Sequence, residues 1–211
     1  NLKAGISGRY QKNFPDPSTG VKRIIPDYKK YDFSIYSIYD ISFDSNWLIE
    51  GGIRYDFSHI NAYKYYRTSL WEARNYDELF PEIVVEDLGL NTLTNPKFDF
   101  NNFSSNLGTR FTINKGENIY FNYSISSRKP NPSELFSEGL HHSSARIEIG
   151  DLSFNSEVGH NISLTYNFAN EKSNLTVNSF ANYVNNFIYI IPVDLMPTIA
   201  GVFPYWEYQQ E

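Results

Sequence analysis

The chain has 211 residues, 18 basic against 24 acidic, a formal charge of −6, 17% aromatic side chains and no cysteine. The acid excess, with no Lys/Arg block to offset it, excludes a dedicated nucleic-acid surface. Without cysteine there are no disulfides and no thiolate chemistry. No apolar run reaches the length of a spanning helix, and the densest, 187–193, is interrupted by Pro192. Strands are not excluded in the same way, because apolar–polar alternation halves the average hydrophobicity of a strand that crosses a membrane.

Alternation dominates the chain, and it places successive side chains on opposite faces of a strand. Over about residues 1–12, Leu2, Ala4, Ile6, Gly8 and Tyr10 share one face, and Lys3, Ser7, Arg9 and Gln11 the other. Residues 31–43 and 47–59 pair around Asp44-Ser45-Asn46, a short polar turn. Tyr31, Phe33, Ile35, Tyr39, Ile41 and Phe43, then Trp47, Ile49, Ile53, Tyr55 and Phe57, face one way. Asp32, Ser34, Asp40, Glu50, Arg54 and Asp56 face the other. A greasy face opposite a charged one is what a barrel wall between lipid and a wet interior requires.

A long segment, 60–102, then carries Tyr63, Tyr65, Tyr66, Trp71, Tyr76 and Phe80 among Arg67 and Arg74. Aromatics and guanidinium groups suit stacking on a planar ligand, which makes Trp71 and Arg74 candidate contacts. Packing of a large loop on its neighbours is the plainer account of the same residues. Strands at about 103–113 and 117–127 follow, joined at Asn114-Lys115-Gly116, where glycine permits a positive φ. After the segment 128–156, a strand at 157–169 switches parity and puts Val158, Ile162, Leu164, Tyr166 and Phe168 on the apolar face. A last strand at 173–184 follows Asn170-Glu171-Lys172, with Phe180 interrupting its polar face, and the remainder from 185 reads as a long connection.

Short connections thus alternate with long ones at about 13–30, 60–102, 128–156 and from 185. Outer-membrane barrels are wired this way, with short periplasmic turns and long external loops. A secreted β-sandwich is the competing reading, but it rarely carries four long loops on one edge. An open sheet in lipid leaves unpaired edges, so further strands are expected around this chain. Parity puts His59 and His160 on the lipid side of the rim. The Asn-x-Ser/Thr triplets at Asn102, Asn122, Asn161 and Asn174 follow from a polar lumen face without any glycosylation.

The segment after Ser127 is the most distinctive. Arg128, Pro130, Glu134, Leu135, Phe136 and Gly139 match an Arg-x-Pro-x-x-x-Glu-Leu-Phe/Tyr-x-x-Gly box, and Glu148, Gly150, Asp151, Glu157 and Asn161 fit the Glu-x-Gly-Asp and Glu-x-x-x-Asn patterns that follow it. Gly52-Ile53-Arg54-Tyr55-Asp56 adds a further shared habit. In this combination the chain resembles the TonB-dependent outer-membrane receptors, particularly those of the Bacteroidota, over nearly its whole length. Leu152-Ser153-Phe154 departs from the Pro-x-Leu usual at the second box.

The resemblance implies an all-β fold: an antiparallel transmembrane β-barrel fragment, about seven strands of a larger barrel of about 22 filled by a plug. Residues 1–211 would then be a partial barrel domain without the plug and the C-terminal strands. It implies a multi-pass location in the bacterial outer membrane, contact with outer-membrane lipid and lipopolysaccharide, and energy coupling through the TonB-ExbB-ExbD complex via the plug. The implied activity is import of a scarce solute, foremost an iron chelate (siderophore or haem), with a glycan or peptide importer as the alternative. No enzymatic activity and no resident cofactor are expected. A passive porin and a barrel enzyme are lesser readings, since no Ser-His-Asp arrangement can be assembled from the spacing.

Candidate ligand contacts are Arg128, His141, His142, Trp71 and Arg74. In the haem-importing branch a histidine lies between two such boxes and ligates iron, and His141 or His142 occupies that interval here. Lys129 stands where that branch carries alanine, and packing or a rim hydrogen bond is the plainer role for the pair.

Overall fold

A computed structural model describes residues 1–14 and 23–211. The first strands are β1 (Leu2–Asn13), β2 (Asp27–Ser42) and β3 (Trp47–Arg67). Short elements α1 (Thr68–Ala73), α2 (Tyr76–Leu79), β4 (Val84–Asp87) and β5 (Asn91–Thr94) follow. The sheet resumes with β6 (Lys97–Asn114) and β7 (Glu117–Arg128). Then come α3 (Pro132–Phe136), β8 (Glu138–His141) and β9 (Arg146–Ile149), the long pair β10 (Glu157–Ala169) and β11 (Asn174–Asn185), and the hairpin β12 (Ile188–Thr198) and β13 (Gly201–Gln210).

The wall is a continuous antiparallel ladder in the order β1-β2-β3-β6-β7-β10-β11. Its strands are those the alternation predicts, and several run further. β3 has 21 residues and β6 has 18, whereas about 9–11 suffice to cross a bilayer. The excess lies at the long-loop end, where β5 pairs with the extension of β3 and β4 with β5.

Turn chemistry accounts for the other end. In the β2–β3 turn the Asp44 carboxylate accepts from the backbone N–H groups of Asn46 and Trp47 at 2.7 and 2.8 Å. In the β10–β11 turn Asn170 does the same for Lys172 and Ser173 at 2.9 and 2.8 Å. Such Asx turns close a hairpin without help from a core. Between β6 and β7, Gly116 has φ 84°, and a Cβ there would strike the Ala169 carbonyl.

Apolar side chains of the wall lie outward. Ile6 is 73% exposed, Ile53 54% and Leu164 51%. Trp47 packs on Phe111 at the turn end, ring centroids 4.7 Å apart. At the other end of the wall Tyr10, Tyr31 and His59 stand side by side, at 5.0 and 6.4 Å. His160 lies between Tyr123 and Tyr183. Both histidines therefore sit in outward aromatic rows. No helix among the described residues is long and apolar enough to cross a membrane. Phe180, the interruption in the last predicted strand, lies on β11 opposite Ser163 and is 72% exposed.

The connection expected from residue 185 onward is instead the β12–β13 hairpin. β13 also runs parallel to β9, and β9 pairs with β8, giving a second sheet in the order β12-β13-β9-β8. Pro192, Pro197 and Pro204 hide this hairpin from pattern reading, because proline argues against a strand. The ladder accommodates them with a register shift between Pro192 and Asp194. The first long connection includes residues 15–22, which lie outside the described residues.

The buried core includes only the long-loop end of the wall, through Tyr28, Ile60 and Ala62. It gathers at the long-loop end around Trp71, Tyr66, Tyr76, Leu135, Phe136 and Phe154. Gly116→Ala forces a left-handed backbone onto an L side chain, at about 1–2 kcal/mol, and adds the clash with Ala169. We expect a lower urea midpoint for this variant in vesicle-inserted protein, and no change for Lys115→Ala on the same turn.

Candidate ligand-binding surface

Three loop segments and the upper wall form one head, held by two polar clusters. The first is at the rim. Arg128 closes β7, and its Nη1 donates to both carboxylate oxygens of Glu134, at 3.0 and 2.9 Å. Its Nε donates to Glu157 at 2.5 Å. Glu134 also accepts the Asn131 backbone N–H at 2.7 Å, which fixes the start of α3. Glu157 accepts the Ile188 N–H at 2.6 Å, which ties in the β12–β13 hairpin. Gly150 lies against the α3 backbone: its N–H donates to Ser137 O at 2.7 Å, and the next N–H, of Asp151, to Glu134 O at 2.8 Å. A Cβ on Gly150 would lie 2.8 Å from the Leu135 carbonyl carbon. The two sequence boxes are thus the two halves of one backbone contact.

The second cluster is centred on Tyr76. Its hydroxyl donates to Asp151 at 2.8 Å and accepts the Leu152 N–H at 3.1 Å and Arg74 Nη1 at 3.3 Å. Arg74 also donates to Gly150 O at 2.9 Å and to Glu207 of β13 at 3.3 Å. Burial and the Asp151 charge push the Tyr76 hydroxyl up to about 12, with Arg74 only partly opposing them. Burial works against the Arg74 charge, and Tyr76, Asp151 and Glu207 outweigh it, so its affinity for a proton rises. Trp71 is 3% exposed and packs against Tyr66 and Tyr76, each at 5.2 Å. Lys64 donates to Phe136 O at 2.8 Å and lies 3.2 Å from Glu138.

The residues proposed from sequence are therefore dispersed. Arg128 is engaged by two carboxylates, and Trp71 and Arg74 are enclosed in the head. His141 Nδ1 donates to Glu148 at 2.9 Å, and its Nε2 lies 3.3 Å from Ser143 Oγ. Glu148 also takes Arg146 at 2.6 Å, and Arg146 stacks on Trp206 at 4.9 Å. His142 is exposed. Among the described residues no group of three metal-ligating side chains occurs.

The polar face that alternation assigns to Arg9, Asp32, Ser34, Arg54 and Asp56 forms a charged cleft on the inner side of the wall, of about 250 Å³, lined also by Ser7, Gly8 and Lys129, of which spacing alone misses Lys129. Asp32 accepts from Arg9 at 2.7 and 2.9 Å, from Ser58 at 2.7 Å and from Lys129 at 2.8 Å, with Lys30 at 4.0 Å. Arg54 clasps Asp56, and both touch Ser34. Three lining cations, Arg9, Arg54 and Lys129, face two carboxylates, with the buried Lys30 behind Asp32, so the cleft is formally positive.

The sequence profile described as TonB dependent receptor-like, beta-barrel, matches residues 2–210. The chain belongs to this TonB-dependent receptor family. Receptors of the family are outer-membrane β-barrel transporters and not enzymes. Its fold is similar to that of the Serratia marcescens hemophore receptor HasR, solved as a double mutant with its hemophore HasA and haem (TM-score 0.65, 17% identity, 99% of this chain and 34% of that one). It is also similar to the copper transporter OprC (TM-score 0.63, 10% identity, 99% and 30%). The receptor chain described here thus spans about a third of the length of these solved structures. No curated protein matches it by sequence.

Within the receptor head, the Tyr76 hydroxyl is more strongly held protonated than the unfolded tyrosine, whose ordinary value is 10.0. Its contribution to stability is complete below pH 10 and is lost as pH rises towards about 12. Since Trp71 lies 5.2 Å from it, we expect its ionisation to quench indole emission in that window. Tyr76→Phe should lack this component. Gly150→Ala should cost about 1–3 kcal/mol through the backbone clash and speed proteolysis within 129–156 several-fold.

Proposed function

We propose that residues 1–211 form part of the barrel wall and the extracellular head of a TonB-dependent receptor that imports an anionic iron chelate. A plug and further strands would complete the barrel, and energy would reach it through TonB-ExbB-ExbD. The open edges of β1 and β11 support this, since a membrane sheet needs partners on both. The observation that carries the substrate class is the positive inner cleft at Arg9, Arg54 and Lys129. Guanidinium and ammonium groups in a confined site focus potential on anions and favour carboxylate- or catecholate-bearing chelates over neutral glycans.

Haem is the second form of this reading. It draws on His141, whose Nδ1 contact with Glu148 would orient Nε2 as a ligand, and on the exposed His142. A haem carboxylate would suit the same cations. Arg128, Trp71 and Arg74 then act by holding the loops in place.

In a strain lacking its own receptors, the full-length receptor is expected to restore growth on a ferric siderophore or haem as sole iron source. Loss of TonB should abolish that growth. Arg9→Gln, Arg54→Gln and Lys129→Gln combined should weaken chelate binding by roughly tenfold or more, with barrel insertion unchanged. Uptake of an oligosaccharide or peptide without chelate binding would overturn the iron assignment, and steady conductance without TonB would indicate a passive pore. Unchanged haem binding in His141→Ala/His142→Ala would remove the haem form alone.

A further inference from the structure

We propose that the outward face of β1, β2, β3 and β6 carries a binding site for the phosphate-bearing headgroup of an outer-leaflet lipid, formed by Lys12, Lys29 and Lys97. The inference rests on the reading of this sheet as barrel wall, and it concerns the lipid face, away from the transported solute.

Strand register places these side chains in one row. Lys12 pairs with Lys29, Lys29 with Asn61, and Asn61 with Lys97. All three lysines are exposed. The adjacent row, one pleat towards the periplasmic turns, is Tyr10, Tyr31, His59 and Asp99, again directly opposed in register. Their parity is that of Ile6, Phe33, Ile53 and Phe103, so both rows look outward.

Height in the membrane follows from strand geometry. From Tyr31 to Phe43 the strand rises by roughly 40 Å along its axis. At the usual barrel tilt this is about 30 Å along the membrane normal, which is the hydrocarbon thickness. Phe43 and Trp47 mark one boundary and the Tyr10–Tyr31–His59 row the other. A row one pleat further out stands roughly 5 Å above that boundary. Lipid phosphates lie at that level.

The charge pattern calls for a partner. Lys12 and Lys29 are directly opposed on the same face, an arrangement of like charges that destabilises a sheet. Among the described residues none of the three lysines carries an ion pair. The two acids sharing their face are already engaged: Asp99 by His59 at 2.7 Å and Asp27 by Arg23 at 2.8 Å. Lys12 additionally lies over the Phe14 ring at 5.4 Å, and Tyr63 is exposed one pleat above Lys29 and Asn61. Aromatic rings below and above a cation row fit a headgroup that is both charged and amphipathic.

Each lysine near an anionic lipid surface contributes roughly fivefold to affinity, and three give about a hundredfold. The test uses the full-length receptor in nanodiscs containing bis-phosphorylated lipid A or the same lipid dephosphorylated. The phosphorylated form is expected to raise the unfolding temperature and to stay bound in native mass spectrometry, and inorganic phosphate alone to do neither. Lys12→Gln/Lys29→Gln/Lys97→Gln should lose both effects with insertion intact. The corresponding triple arginine variant should keep them, and single Lys29→Gln should show a partial loss if the triple variant inserts poorly. Equal effects of both lipids, or full retention in the glutamine variants, would overturn the site. Failure of the wild-type receptor to insert would instead overturn the barrel reading beneath it.

Discussion

In hydrocarbon there is no water to satisfy a backbone N–H or C=O, so every one of them must find a partner within the protein. The unbroken ladder from β1 to β11 answers that requirement. It is also why the membrane-crossing part of the wall carries no buried core, which lies at its long-loop end. With lipid on one side and a polar interior on the other, the sheet stacks on nothing; its apolar side chains meet acyl chains. What must be held by side-chain packing is the head, and the core residues collect there.

The head is joined less by apolar contact than by main-chain capture. Arg128 gathers Glu134 and Glu157, and those two carboxylates take backbone N–H groups from α3 and from the β12–β13 hairpin. One guanidinium thereby fixes three segments of distant sequence. Arg74 repeats the arrangement with Gly150, Asp151 and Glu207. Arg74 is largely enclosed, and at Arg128 the enclosed charges are those of Glu134 and Glu157, so removing either arginine leaves desolvated carboxylates or carbonyls behind. The motif residues that mark the family in this chain are, in large part, the components of this joint.

The wall was legible in the sequence because its physics is local. Alternation gives the faces, Asp44, Asn170 and Gly116 give the turns, and the boundaries of β10 coincide with the predicted 157–169. The β12–β13 hairpin was not legible, since its prolines contradict strand propensity and its register depends on β9, far away in sequence. Of the charged cleft, alternation gives the face shared by Arg9, Asp32, Arg54 and Asp56, but not the contribution of Lys129. Lys129 meets Asp32 only after the chain has crossed the sheet several times. Arg128 drew notice through its motif, but the pattern could not distinguish a clamp from a ligand contact. Trp71 and Arg74 illustrate the same limit: residue types that stack on ligands also fill the interior of a loop.

The length of β3 has a mechanical consequence. It is one uninterrupted strand, bonded to β2 and β6 in the wall and to β5 in the head. A head that shares a strand with the wall cannot swing on a hinge; displacing it would shear a ladder of hydrogen bonds all at once. The shape of this end is then set in advance, so anything that binds there meets a preorganised surface at little ordering cost. Head and wall, built on one strand, move together, and this end of the sheet is a rigid mouth.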